Sequence, residues 1–460
     1  MTNLVQRLTQ SKFARDTAVL QIGKVGATVL SAISALIAWR ALGPEVNGVF
    51  NLALGFVTLW HTLDLTGIPT SISTHLGMAV GARSANDILD ALAVYVRVTT
   101  MVNLAITTLI VLLGPLVAAQ LYEGDSQIGV LAVGLAFTAI ADSFYNLVII
   151  GLQSRRQMRT IAFMSIANQL VLTLCVLAAV ILVPTAAGLV GARLVYSYTT
   201  MLLALWLYGR ERQAVEPTLP PLIAVARRAQ HVPTRKYLWF GFANAVDKNL
   251  AAYFTQLPLQ LVGTLAGARA AGYLGLALNG ISYLSILTSA VFDNMQAVVP
   301  QMVGRQEFAR LRRAFPRVLI GLAFGGIFVY GALALFAPPL IPPVLGERWI
   351  PAIPAVMTLA LLGIITTVGG VLGPLYRALN VMWRIIAIKI LSLAAGLIVG
   401  YGLISQWHVT QSPFAISTPE PYRGLLESYA AQSGAWTINL IFIISVTLTA
   451  VAALRELWRR

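Results

Sequence analysis

Twelve apolar runs, near residues 13–39, 47–79, 89–120, 127–151, 160–183, 186–208, 237–264, 271–299, 316–341, 351–377, 381–404 and 433–454, constrain this chain more than any other feature. Each is long enough to cross a hydrocarbon core, which takes about 20 residues in a helix and about 10 in a barrel strand. Within lipid a helix satisfies all of its own backbone groups, so runs of this length predict an all-α, polytopic membrane protein. The charged fraction agrees: 11% of residues are Asp, Glu, Lys or Arg, against about 25% in a soluble domain. The runs at 160–183 and 186–208 are parted only by "VPTAAG", a tight-turn signal.

The net charge of +15 would suggest nucleic acid in a soluble protein. Here the basic residues lie in the short segments between runs, where they hold cytoplasmic loops in place and meet anionic headgroups. Membrane lipids, and no nucleic acid, are therefore the expected partners. With the N-terminus placed inside, 23 of the 32 Lys and Arg residues fall on the cytoplasmic side. Only Arg40, Arg269, Arg348 and Arg423 fall on the other. That asymmetry predicts a cell-membrane (inner or plasma membrane) protein with both termini cytoplasmic. The one cysteine, Cys175, sits in an apolar run, and the four histidines are scattered, so neither a disulfide framework nor a metal site is expected. No cofactor is implied. The first run is too long and too polar on one face for a cleavable signal, and is expected to remain as the first span.

The chain repeats itself at an offset of 224 residues. Lys24 falls on Lys248, Gly43 on Gly267, Gly48 on Gly272, Leu52 on Leu276, Ala53 on Ala277 and Leu54 on Leu278. The aligned stretches read "LGPEVNGVFNLALG" and "LAGARAAGYLGLALNG". Such duplication is how many transporter folds are built. It divides the chain into an N-lobe at 1–208, a cytoplasmic linker loop at 209–236 and a C-lobe at 237–460. Six spans per half make the repeat parallel, with a pseudo-twofold along the membrane normal and a binding site expected between the halves. The 405–432 segment is the other long loop, expected outside.

Ionisable residues inside spans are costly and usually functional. Lys24 is central in its run, and Thr17, Gln21, Lys24, Thr28 and Ser31 share one helical face. Arg97 shares a face with Asp90, Thr100 and Thr107. Lys248 adjoins Asp247, and Lys389 can snorkel to the inner surface. Lys24, Arg97 and Lys248 are the candidate substrate-binding cations. Asp142, Asp293 and Asp64 are the candidate coupling-ion carboxylates. Asp142 is mid-span in "FTAIADSFYNLV", and Asp293 shares a face with Ser282, Ser289 and Gln296. Asp64 lies in "LDLTGIP", where capping of backbone amides freed by the break is the stronger reading. There is no Walker A sequence, and no catalytic residues are expected.

"RALGPEVNGVFNLALGF", then "LDLTGIPTSIS", then "GLQSRRQMR", with "AGARAAGYLGLALNG" and "LLGIITTVGGVLGPLYRALN" in the second half, resemble the polysaccharide-transport flippases. This is the Wzx-like branch of the multidrug/oligosaccharidyl-lipid/polysaccharide exporter superfamily. The resemblance covers most of the chain, and order and spacing carry it. It implies two six-helix lobes and a transporter, not an enzyme. It also implies a substrate, an oligosaccharide on a polyprenyl pyrophosphate that is flipped from the cytoplasmic to the outer leaflet by alternating access. Polysaccharide-assembly proteins are the partners it implies. Two rivals stand beside it: a cation-coupled multidrug exporter of the same superfamily, and a polytopic glycosyltransferase or polysaccharide polymerase.

Overall fold

A computed structural model describes residues 12–459, apart from 125, 215, 288–291, 293, 294, 296, 297, 300, 301, 304, 380 and 408–419. Every regular element among the described residues is helical. In chain order they are α1 (Lys12–His61), α2 (Ile68–Gly81), α3 (Ala85–Leu121), α4 (Gln127–Ala136), α5 (Thr138–Ser154), α6 (Met158–Leu182), α7 (Ala186–Glu211), α8 (Leu222–Ala229) and α9 (Arg235–Leu284). Then follow α10 (Phe308–Leu345), a 3-10 turn (Glu347–Ala352), α11 (Ile353–Gly369), α12 (Leu372–Ala378), α13 (Met382–Ser405) and α14 (Glu420–Arg459).

Among the described residues, ten segments are long and apolar enough to cross a membrane. The difference from twelve runs has a local cause. α1 and α9 are each 50 residues long, about 75 Å at 1.5 Å per residue and well over twice a hydrocarbon core. Each is two spans joined at a kink, at Gly43 (φ 75°, ψ 178°) and at Gly267 (φ 87°, ψ 173°). These are the two glycines that the 224-residue offset superposes. Positive φ is open to glycine at no steric cost, and a side chain there is strained. After Gly43 the helix restarts on Pro44, whose fixed φ suits a first helical position, and Asn47 Nδ2 donates back to the Gly43 carbonyl at 2.7 Å.

The described chain forms two compact units. The first contains the described residues up to Ala38 together with Trp60–Gln120 and Asp125–Val246. Its core joins Ile68, Ile72, Leu76, Ile88, Leu92, Leu147 and Leu152 to Leu219, Val225, Val232 and Tyr237. Thr185 caps α7 by accepting from the Gly188 amide at 3.2 Å, which fixes the "VPTAAG" turn. The segment 209–236, expected as a linker loop, is thus a packed strap. α8 faces inward through Val225 and Ala229, and Arg228 makes a two-point ion pair with Asp90, at 2.6 and 3.2 Å. That pairing raises the Arg228 pKa above its ordinary value, chiefly through the hydrogen bond to Asp90. Arg155 closes the end of α7, donating to the Glu211 and Arg212 carbonyls at 3.2 and 3.0 Å.

The second unit contains Trp39–Leu59, Leu121–Gly124 and Asp247–Arg460. Here the second halves of α1 and α9 cross at backbone contact. A Cβ on Gly48 would lie 1.8 Å from the Ala268 carbonyl oxygen, and one on Gly272 would lie 2.1 Å from the Pro44 carbonyl oxygen. Ala268 and Pro44 are themselves related by the 224-residue offset, as are Glu45 and Arg269, which pair at 3.5 Å. The crossing therefore carries the repeat's own symmetry. α14 begins at Glu420, well before the expected span at 433, so much of the expected outer loop is helix.

Candidate functional site

Among the described residues, each unit holds an ionisable cluster within its spans. In the first, Asp142 on α5 pairs with Arg193 on α7 at 3.3 Å, both side chains about one-third exposed. The Arg193 guanidinium lies 4.9 Å over the Tyr196 ring, and Asn168 of α6 donates to the Tyr196 hydroxyl at 2.8 Å. Three helices are thereby tied, α5 to α7 by the ion pair and α6 to α7 by the Tyr196 hydroxyl. Asp142 already holds a guanidinium, so any cation bound there competes with Arg193.

In the second unit Asp247 is the hub. It is 3% exposed and accepts from the Tyr376 hydroxyl at 2.7 Å, from Arg377 at 3.0 Å and from the Lys389 ammonium. One carboxylate thus meets two cations and a phenol, leaving a net positive charge. Lys389 is largely buried, while 44% of the Arg377 side chain is exposed. An arginine fork with a free edge can take a further anionic oxygen. Asp247 is joined to Arg377 and Lys389, on α12 and α13, and not to its neighbour Lys248, which is exposed. One lysine and one aspartate at span depth are the local signs of this cluster. Arg377 carries no such sign, because it lies at the end of a run, where a basic residue reads as a loop anchor.

Lys24 lies half-buried on α1, beside Gly23, whose Cβ position falls 2.7 Å from Ala162 Cβ on α6. Lys24 and Lys248 stand at matching places, each 19 residues before its kink glycine. They differ in setting, one half-buried in the first unit and one exposed in the second. Arg97 donates to the Val232 carbonyl at 3.1 Å, which fastens the strap to α3. Its expected face-mates are used separately: Asp90 holds Arg228, and Thr107 donates to the Ala136 carbonyl at 3.3 Å. Asp64 accepts from the Thr66 amide at 2.9 Å and from the Thr66 hydroxyl at 2.6 Å, capping the break before α2. Asp293, with Ser289 and Gln296, lies outside the described residues. Among the described residues no group of three or more His, Cys, Asp or Glu could hold a metal ion.

Long kinked helices in two units, with charge clusters at span depth, define a multi-pass helical membrane protein. The fold is that of solved MATE transporters of the MOP superfamily. It is similar to a multidrug resistance MATE family transporter seen in an inward-facing conformation, at TM-score 0.67 and 12% identity over 93% of this chain and 95% of that one. It is similar to a MOP superfamily transporter from Pyrococcus furiosus, whose binding pocket has reversed polarity, at TM-score 0.64 and 13% identity over 98% of each chain. It is similar to the eukaryotic MATE transporter AtDTX14, at TM-score 0.62 and 15% identity over 97% of this chain and 100% of that one. No curated protein sequence matches the chain. The family of polysaccharide biosynthesis proteins matches residues 36–354, and the chain belongs to it. The all-α, two-lobed fold class and the family expected from the sequence are thus the ones found.

Proposed function

We propose that this protein flips a polyprenyl-pyrophosphate-linked oligosaccharide from the cytoplasmic to the outer leaflet by alternating access, for surface polysaccharide assembly. The observation that carries this reading is the balance of charge at span depth. Among the described residues, the five cations Lys24, Arg97, Arg193, Lys248 and Lys389 outnumber the three carboxylates Asp64, Asp142 and Asp247. A pyrophosphate entering the bilayer must be compensated, and fixed cations supply that where water is excluded. A carrier of cationic drugs calls for the opposite balance. The family's place in polysaccharide biosynthesis supports the same substrate class. Lys24, Arg97 and Lys248 are the substrate cations in this reading, and Asp142, Asp293 and Asp64 the candidate coupling carboxylates. No bond is made or broken.

The test is outer-leaflet glycan lipid per folded transporter. Lys24→Ala and Lys24→Gln lose transport while inserting normally, and Lys24→Arg retains part of it, because charge is the first requirement. Full transport by a folded Lys24→Ala protein overturns the role of Lys24. Absence of flipping by the wild-type protein overturns the function.

A further inference from the structure

A second feature lies within the second unit, away from the charge cluster. One face of α10 lines a cavity of about 350 Å³ with Trp39, Leu276 and Gly280 on the facing helices. The α10 wall runs from Val329 through Leu333, Phe336 and Leu340 to Leu345, which at 1.5 Å per residue is about 24 Å. Its residues recur at three- to five-residue steps, so a single stripe of the helix forms the wall. Phe336 and Leu340 are each more than half exposed, which opens the groove toward the side that meets lipid.

One end of this groove is polar and cationic. Arg40 Nη1 donates to the Val344 carbonyl at 3.1 Å, beside Leu345. Arg348 reaches the Gly43 kink, its Nη1 3.7 Å from the Cβ position there. Trp349 Nε1 donates to the Trp39 carbonyl at 2.9 Å, and the two indoles lie 6.5 Å apart. Paired tryptophans and arginines at a span end form an interfacial belt. Arg40 and Arg348 are also two of the four basic residues that charge asymmetry assigns to the outer side.

We infer that this groove is a binding site for the proximal isoprenoid segment of the polyprenyl carrier, with its phosphates at Arg40 and Arg348, on the outer-leaflet side. The inference rests on the flippase reading and names a subsite of that substrate. Three observations select the occupant. The wall is hydrocarbon throughout, so it takes a chain and not a sugar. The cationic end matches an anionic headgroup. A volume of about 350 Å³ spread along about 24 Å leaves a bore one chain wide. A two-chain phospholipid would leave one chain outside, whereas a polyprenyl phosphate has only one.

The experiment uses the full-length protein in proteoliposomes. One probe is a polyprenyl diphosphate with a photoreactive group in its first isoprene units. The other is a diacyl phosphatidylglycerol with the same group on one chain. The expected result is saturable labelling of the wall residues Leu333, Phe336 and Leu340 by the first probe, displaced by unlabelled polyprenyl diphosphate and not by phosphatidylglycerol. Gly280 has nothing within 4 Å of its Cβ position, so a side chain there enters the groove without displacing a neighbour. Gly280→Phe should cut labelling about tenfold and Gly280→Ala should leave it within about twofold. Labelling spread equally over lipid-facing Phe328 and Leu335, displacement by phosphatidylglycerol, or undiminished labelling in a folded Gly280→Phe protein each overturn the site. The displacement result on the wild-type protein decides the matter if Gly280→Phe does not fold. Wild-type protein that flips the lipid-linked oligosaccharide but shows no saturable labelling removes the groove and keeps the flippase. Saturable labelling without flipping does the reverse.

Discussion

Asp247 holds Arg377, Lys389 and Tyr376 at once, and its removal leaves two cations facing each other in a low-dielectric setting. Breaking such a pair by deleting one partner costs about 3–5 kcal/mol, because the surviving charges are uncompensated. Asp247→Ala should therefore lower the yield of folded protein in detergent. Adding Lys389→Met should recover much of it, since the deeper of the two cations is then gone. Size-exclusion profiles of the single and double variants measure this directly. A double variant no better than Asp247→Ala would show that the carboxylate matters for something other than charge balance. Asp142 and Arg193, both about one-third exposed, should respond less.

The crossing of α1 with α9 makes a paired prediction. Gly48 and Gly272 occupy equivalent places, each against a carbonyl oxygen of the other helix. A methyl group at either forces the helices apart, so Gly48→Ala and Gly272→Ala should each lower stability by about 1–3 kcal/mol. Gly77→Ala on α2, where nothing lies within 4 Å, should be neutral or mildly stabilising through helix propensity. Thermal unfolding in detergent ranks the three. The strap makes another. Val225 is 1% exposed on α8, and Val225→Asp places an unpaired carboxylate in the core of the first unit. The expected outcome is rapid protease cleavage within 209–236 while the spans stay intact. Cleavage no faster than in the wild-type protein would mean that the strap is held by its ion pair and backbone contacts alone.

At the scale of the whole molecule, the 23-to-4 distribution of basic residues predicts that the strap and both termini face the cytoplasm. Cysteines introduced at Gln213 or Gln230 in a Cys175→Ser background should resist an impermeant thiol reagent in intact cells and react after permeabilisation. Labelling in intact cells would reverse the topology and move the cationic end of the α10 groove to the inner leaflet.

Hydrophobic run length by itself determined the fold class, since only helices can hold about 20 apolar residues in lipid without unsatisfied backbone. The 224-residue offset superposed Gly43 on Gly267, and the structure shows that each is a kink, where a left-handed φ requires glycine. The "LDLTGIP" break and its Asp64 cap were legible for the same local reason. What the sequence left open were the partners of the charges. Asp247 lies beside Lys248 in the chain but is bonded to residues 130 and 142 positions away. Arg97 is held by a carbonyl 135 positions away, in a segment that composition read as a loose linker. Side-chain pairing is decided by which helix faces meet, and that is set by close packing at small residues such as Gly23 and Gly48, which carry no charge signal in the sequence. The α10 groove has the same origin: each wall residue is an ordinary apolar residue of its span, and only the arrangement of the helices leaves a chain-wide space between them.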